Sequence, residues 1–216
     1  MPQRAKKSSS HQVAPTPRDA AIQHDETGLE RLVFFSDAVM AIAITLLALE
    51  IRLPALPEQV SNAALWQALG SLGASYLSYG ISFAVIGLYW LAHHRTFREI
   101  VRYDSRLLLL NLILLLFIAF VPFPTAVLGE YGNRTATIFY AATMAAVGLA
   151  LAAVWTYARV GGRLVAAPLA RAEFWRGLLR VLAPPLIFLL SIGIALWDDN
   201  VAKYFWALTV IGLLLR

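Results

Sequence analysis

Cysteine is absent from the chain. That excludes disulfides, thiolate metal ligands and a cysteine nucleophile. Charge is scarce too: Asp, Glu, Lys and Arg make up 14% of the residues, where a globular domain carries about 25%. Residues 1–29 hold no apolar core of the kind a secretory signal needs. They are polar, with Pro15, Pro17 and the run Ser8-Ser9-Ser10, and are expected to form a disordered cytosolic tail. Paired carboxylates and nucleophile–base motifs are missing as well. Asp37, His93 and His94 are the candidates for chemistry, but they lack the partners that catalysis requires. The adjacent histidines project in different directions on a helix, so they do not form a zinc pair. No enzyme activity, cofactor or metal site is expected.

What the chain has in quantity is apolar length. Hydrophobic residues reach 59% of its 216 positions. A helix that crosses the hydrocarbon of a bilayer needs about 20 mostly apolar residues. Six stretches qualify, at about Glu30–Ile51, Leu72–His94, Leu107–Leu128, Thr135–Ala158, Gly177–Trp197 and Val201–Leu215. A soluble domain of this size has no interior large enough to bury them all. The expected fold is therefore an all-α integral membrane protein with six transmembrane helices. Thr27-Gly28-Leu29-Glu30 has capping-box spacing and is expected to start the first helix. Pro122 and Pro124 are expected to end the third, and Pro184-Pro185 to kink the fifth or mark its start.

The net charge of +5 fits membrane topology better than nucleic acid. Arg95, Arg98, Arg102 and Arg106 follow the second segment. Arg159, Arg163, Arg171, Arg176 and Arg180 lie between the fourth and fifth. Of the 18 Lys and Arg residues, only Arg52, Arg134 and Lys203 fall on the opposite side. Basic residues accumulate in cytoplasmic loops, so both termini are expected in the cytosol, with the chain multi-pass in the cell membrane and lipid as its surroundings. Trp66, Trp90, Trp155, Trp175 and Trp197 near segment ends read as interfacial anchors.

The first segment is the informative one. Asp37 lies about two turns into it, and an intramembrane charge needs a partner or water. Packing into a polar network is the preferred reading; interfacial hydration and a proton relay are the alternatives. His93 and Asn111 fall near the same depth on the second and third segments. Arg31, Asp37, His93 and Asn111 are thus expected to form one polar cluster, with His93 bonding Asp37. Beyond Asp37, Ala38, Ile42, Thr45 and Leu49 share one face by their spacing. Spacing alone favours core packing or lipid contact for Ile42 and Leu49.

The pattern Arg31-x-x-x-Phe35-Ser36-Asp37 resembles the signature of the transmembrane protein 175 family of potassium channels. The resemblance continues through Trp90-x-x-His93-x-Arg95-x-Phe97 and through Asn111 with Phe120-Val121-Pro122-Phe123. It implies a channel domain over residues 30–216 and, from one six-helix unit, a homotetramer around a central pore lined by the first helix. It implies that Arg31, Phe35, Ser36, Asp37, Trp90, His93 and Asn111 form a structural polar network. Ile42 and Leu49 then form the constriction, with Thr45 as a polar layer between them and Leu46 beside it, and the potassium ion is the permeant species. No Thr-Val-Gly-Tyr-Gly segment occurs, so an apolar ring rather than backbone carbonyls would govern conduction. The competing reading is a secondary transporter, but paired broken helices in matching halves, the usual mark of one, are missing.

Overall fold

Long apolar runs in a chain with few helix breakers satisfy their backbone groups internally, and here they do so as helices. The computed structural model describes the backbone of residues 17–214 and the side chains of residues 27–206. Residues 1–16 of the expected tail lie outside them. The helices are α1 (Pro17–Leu49), α2 (Asn62–Ser71), α3 (Gly73–Phe97), α4 (Ser105–Phe120), α5 (Pro122–Tyr131), α6 (Arg134–Arg159), α7 (Arg171–Ala195) and α8 (Asp199–Leu214). Among the described residues, five helical stretches are long and apolar enough to cross a membrane: Thr27–Leu49, Gly73–Phe97, Ser105–Tyr131, Arg134–Gly162 and Arg171–Ala195. α8 has 16 residues, a length of about 24 Å.

Several boundaries differ from the sequence expectation. α1 reaches back to Pro17, so Thr27 lies inside a continuing helix and does not start it. Pro122 and Pro124 do not end the third span. Val121 keeps helical angles, its N–H bonding Ile118 O at 3.1 Å, and α5 follows with Pro at its first turn, where no amide donor is needed. α4 and α5 together make one span that closes at Gly132, which adopts a left-handed conformation (φ 57°). α7 starts at Arg171 and runs through Pro184 and Pro185; each proline removes a donor to the carbonyl four residues back. The short helix α2 was not expected. Ser61 caps it, its hydroxyl accepting from Ala64 N at 3.2 Å.

α6 carries the longest set of buried side chains and packs against α4, α5 and α7. The core contains a few hydroxyls, all satisfied. Ser82 of α3 stands 2.8 Å from the Thr125 hydroxyl of α5 and 3.0 Å from that of Tyr140 on α6. Tyr89 donates to Met144 O at 2.8 Å. Leu109, Leu116, Leu179, Leu186 and Leu190 point outward and are exposed, which suits lipid rather than water.

The basic loops sit together at one end. Val101 N donates to Leu164 O at 2.8 Å, and Ile100 pairs with Val165 in an isolated bridge. Asp104 caps α4 through Leu107 N at 2.9 Å and accepts from Tyr157 Oη at 2.6 Å. The Tyr157 hydrogen bond, followed by that cap, holds the Asp104 carboxyl below its ordinary 3.8.

Two outcomes follow. A Cβ at Gly148 would stand 2.8 Å from Pro185 on α7 and from the Tyr89 hydroxyl on α3. Gly148→Ala is expected to cost about 1–3 kcal/mol through overpacking; an unchanged Tm in detergent would refute that junction. Because the folded pKa of Asp104 is depressed, its contribution is present above the unfolded value and lost as pH falls through the folded one. The Tm difference between the wild type and Asp104→Asn should therefore narrow as pH is lowered below 3.8. A gap that widens on acidification would contradict it.

Candidate functional site: the first helix and its polar anchor

α1 has two faces. Leu32, Ser36, Met40, Ala43 and Leu47 are buried, spaced by three and four residues so that they fall on one side of the helix. They pack against α3, α4 and α5. The other side is exposed throughout the span and includes Phe35, Ala38, Ala41, Ile42, Thr45, Leu46, Ala48 and Leu49. Leu49 is 70% exposed and Ile42 57%, high values for large apolar groups. Thr45 turns its hydroxyl back to Ile42 O at 2.8 Å, so its own helix satisfies the donor.

The buried face carries one polar group, Ser36, and the helices around it answer that group fully. Ser36 Oγ donates to Leu32 O at 2.8 Å and accepts from Asn111 Nδ2 at 2.9 Å. Asn111 Oδ1 lies 3.0 Å from His93 Nε2. A single assignment satisfies all three contacts: His93 Nε2–H donates to Asn111, Asn111 donates to Ser36, and Ser36 donates to the backbone. Ser36, Asn111 and His93 are each fully buried. The chain of bonds links α1, α4 and α3. The His93 ring also stacks on Phe97, with centroids 4.2 Å apart. His93 Nδ1 is buried without a hydrogen-bond partner.

The single cluster expected from Arg31, Asp37, His93 and Asn111 is therefore two separate contacts. Asp37 does not bond His93. Its Oδ1 accepts from Trp90 Nε1 at 2.8 Å at an exposed edge of the α1–α3 contact. Trp90 and His93 lie three residues apart on α3, and the depth of packing gives Asp37 to the first and Asn111 to the second. Arg31 is exposed and takes part in no ion pair among the described residues. Phe35 is exposed as well. Sequence reasoning missed two polar contacts at the basic end, Asp104 with Tyr157 and Glu99 with Arg159 at 2.6 Å. Asp104 had a local signal, an N-cap residue before an apolar run; the second pair had none. Among the described residues no group of three His, Asp or Glu side chains is arranged to hold a metal ion.

α1 thus leaves an uncharged, exposed face beside a buried polar anchor in a chain with several membrane-spanning helices. Comparison with known proteins gives the class. Residues 31–122 match the family model described as endosomal/lysosomal potassium channel TMEM175. A potassium channel of Streptomyces collinus is 41% identical over 174 residues, covering 76% of this chain and 81% of that one. A potassium channel of Chamaesiphon minutus is 41% identical over 157 residues, covering 71% and 76%. The crystal structure of a lysosomal potassium-selective channel TMEM175 homolog from Chamaesiphon minutus superposes with a TM-score of 0.76 at 32% identity, covering 88% of this chain and 98% of that one. The chain belongs to the TMEM175 family. That family is one of ion channels, and the protein is not an enzyme.

Removing Asn111 takes the partner of the buried His93 Nε2 and one of the two contacts of the Ser36 hydroxyl. Asn111→Leu should destabilise the protein by about 1–3 kcal/mol for each group left unsatisfied, read as a lower Tm in detergent. Asp37→Asn, at the exposed edge, should cost far less. Equal losses would show that the buried chain of bonds is not the principal tie between α1, α3 and α4.

Proposed function

We propose that four copies of this chain form a potassium-permeable channel whose pore is lined by the exposed face of α1. The protein conducts potassium passively, as its membership of a potassium-channel family indicates. Ile42 and Leu49 make the constriction, Thr45 adds a polar layer between them, and Leu46 flanks it. α8 completes six spans. The basic loops put both termini on the cytosolic side of the cell membrane.

One observation carries this reading: the α1 face that runs from Ala38 to Leu49 is apolar, exposed and uncharged, while the opposite face of the same helix is packed and hydrogen-bonded. A lipid-facing helix would satisfy the same burial pattern, but the polar anchor would then serve no end beyond packing. In a fourfold arrangement the anchor sets the rotation of α1, and rotation decides which side chains reach the axis. Apolar rings gate by dewetting. An ion that sheds its hydration more readily crosses such a ring at lower cost, which favours potassium over sodium. Arg31, Phe35, Ser36, Asp37, Trp90, His93 and Asn111 act on conduction through structure rather than by touching the ion.

Flux from liposomes that contain the purified protein, under potassium and then sodium gradients, tests the proposal. Ile42→Asn should wet the constriction, raise cation flux several-fold and weaken the preference for potassium. Flux and selectivity unchanged by that substitution would move the pore away from α1.

A further inference from the structure

A cleft of about 610 Å³ opens at the basic end, between α3, α6 and α7. None of its lining residues belongs to α1. Its volume falls within the range of about 300–1,000 Å³ usual for small-molecule sites. The walls change character along its length. Arg95, Arg98, Arg159 and Arg176 line the end nearest the loops, and Arg180 lies one turn deeper along α7. Val85, Leu88, Leu151, Val181 and Pro184 line the end that runs into the span. From Glu99 to Val85 the α3 wall descends about 20 Å, more than half of the hydrocarbon thickness.

Basic residues at a cytosolic loop often do no more than set topology. Arg159 is different. Its side chain is buried, at 3% exposure. Its Nη2 donates to Glu99 Oε2 at 2.6 Å, and its guanidinium lies 4.5 Å from the centre of the Trp155 ring. Its Nε and Nη1 are buried with no hydrogen-bond partner. A buried cation with two orphaned donors is costly unless an acceptor reaches it. Arg95, Arg98, Arg176 and Arg180 are exposed and form no ion pair among the described residues. Glu99 and Glu173 are the acidic groups on the cleft wall. Glu99 is engaged by Arg159, and Glu173 caps α7 through Ala170 N at 3.3 Å. Five arginines face two carboxylates on its wall, so among the described residues the cleft keeps an excess of positive charge.

We infer that this cleft binds an anionic phospholipid, the arginines taking the headgroup phosphate and the apolar walls taking the upper part of an acyl chain. Guanidinium groups match phosphate oxygens as paired donors. A free phosphate would leave the apolar length of the cleft unfilled; a zwitterionic lipid would bring its own cation into the positive end. Basic pockets between transmembrane helices on the cytoplasmic side suit anionic headgroups for the same reasons. The inference rests on the membrane embedding of the chain and not on where its pore runs.

The test is native mass spectrometry of the full-length protein in detergent, with phosphatidylglycerol, phosphatidylcholine of the same acyl chains, or inorganic phosphate added. Phosphatidylglycerol should be retained in preference to phosphatidylcholine, and inorganic phosphate should neither bind nor raise the Tm. An arginine near an anionic lipid is worth about a fivefold change in affinity, so Arg176→Gln with Arg180→Gln should weaken retention about 25-fold. Arg102→Gln with Arg171→Gln removes the same charge at the same end but outside the cleft, and should leave retention intact. Leu88→Trp fills the apolar part without altering charge and should displace the lipid. Equal losses in both arginine pairs would reduce the effect to diffuse attraction and overturn the site. So would equal retention of the two lipids, retention unaffected by Leu88→Trp, or phosphate binding that is lost with Arg176 and Arg180. Ion flux is not part of this readout, so an absent pore and an absent lipid site are distinguished.

Discussion

The protein depends on one demand made by its surroundings: a polar side chain inside a membrane span must find its partners within the protein. Ser36 meets that demand through Asn111, and Asn111 through His93. The bonds are directional, so they specify more than contact. They hold α1 at one rotation against α3 and α4. Apolar packing alone, between Met40, Ala43, Leu47 and their neighbours, would tolerate a turn of the helix by a residue or so. With Ser36 anchored, such a turn would leave the buried Asn111 Nδ2 without its acceptor. The orientation of the exposed face is therefore a consequence of the buried one.

Much of this was legible in the sequence, because hydropathy over 20 or so residues and the count of basic residues per loop are both strong signals. Membrane embedding and the long apolar helices came from them, while the family resemblance came from the Arg31-x-x-x-Phe35-Ser36-Asp37 motif and its companions. Boundaries were less legible where proline and capping patterns allow two outcomes. Thr27 has the spacing of a cap, but nothing upstream stops the helix before Pro17. Pro122 ends a helix when the chain turns; here Val121 keeps helical angles, and Pro122 becomes the first residue of the next segment instead.

The candidate site was legible in its membership and not in its pairings. Asp37, Trp90, His93 and Asn111 were singled out, yet the partner of Asp37 is decided by how far α1 slides along α3. That distance is not written in the spacing of either helix. The Glu99–Arg159 contact joins residues 60 positions apart and has no local signature at all. Arginine at the end of a helix normally reads as solvated, and only the packed structure reveals that this one is enclosed. The face from Ala38 to Leu49 remained ambiguous for a related reason: side chains that line a pore, meet lipid or pack in a core are drawn from the same apolar set.

The length of α1 has a mechanical meaning. At 33 residues it is about 50 Å long, while the hydrocarbon it crosses is about 30 Å thick. The excess stands at the basic end and is continuous with the segment that bears Ile42. Ser36 lies between the projecting part and Ile42, and its bond to Asn111 resists any twist that the projecting part receives. The anchor thus shields the apolar face from torque applied outside the bilayer.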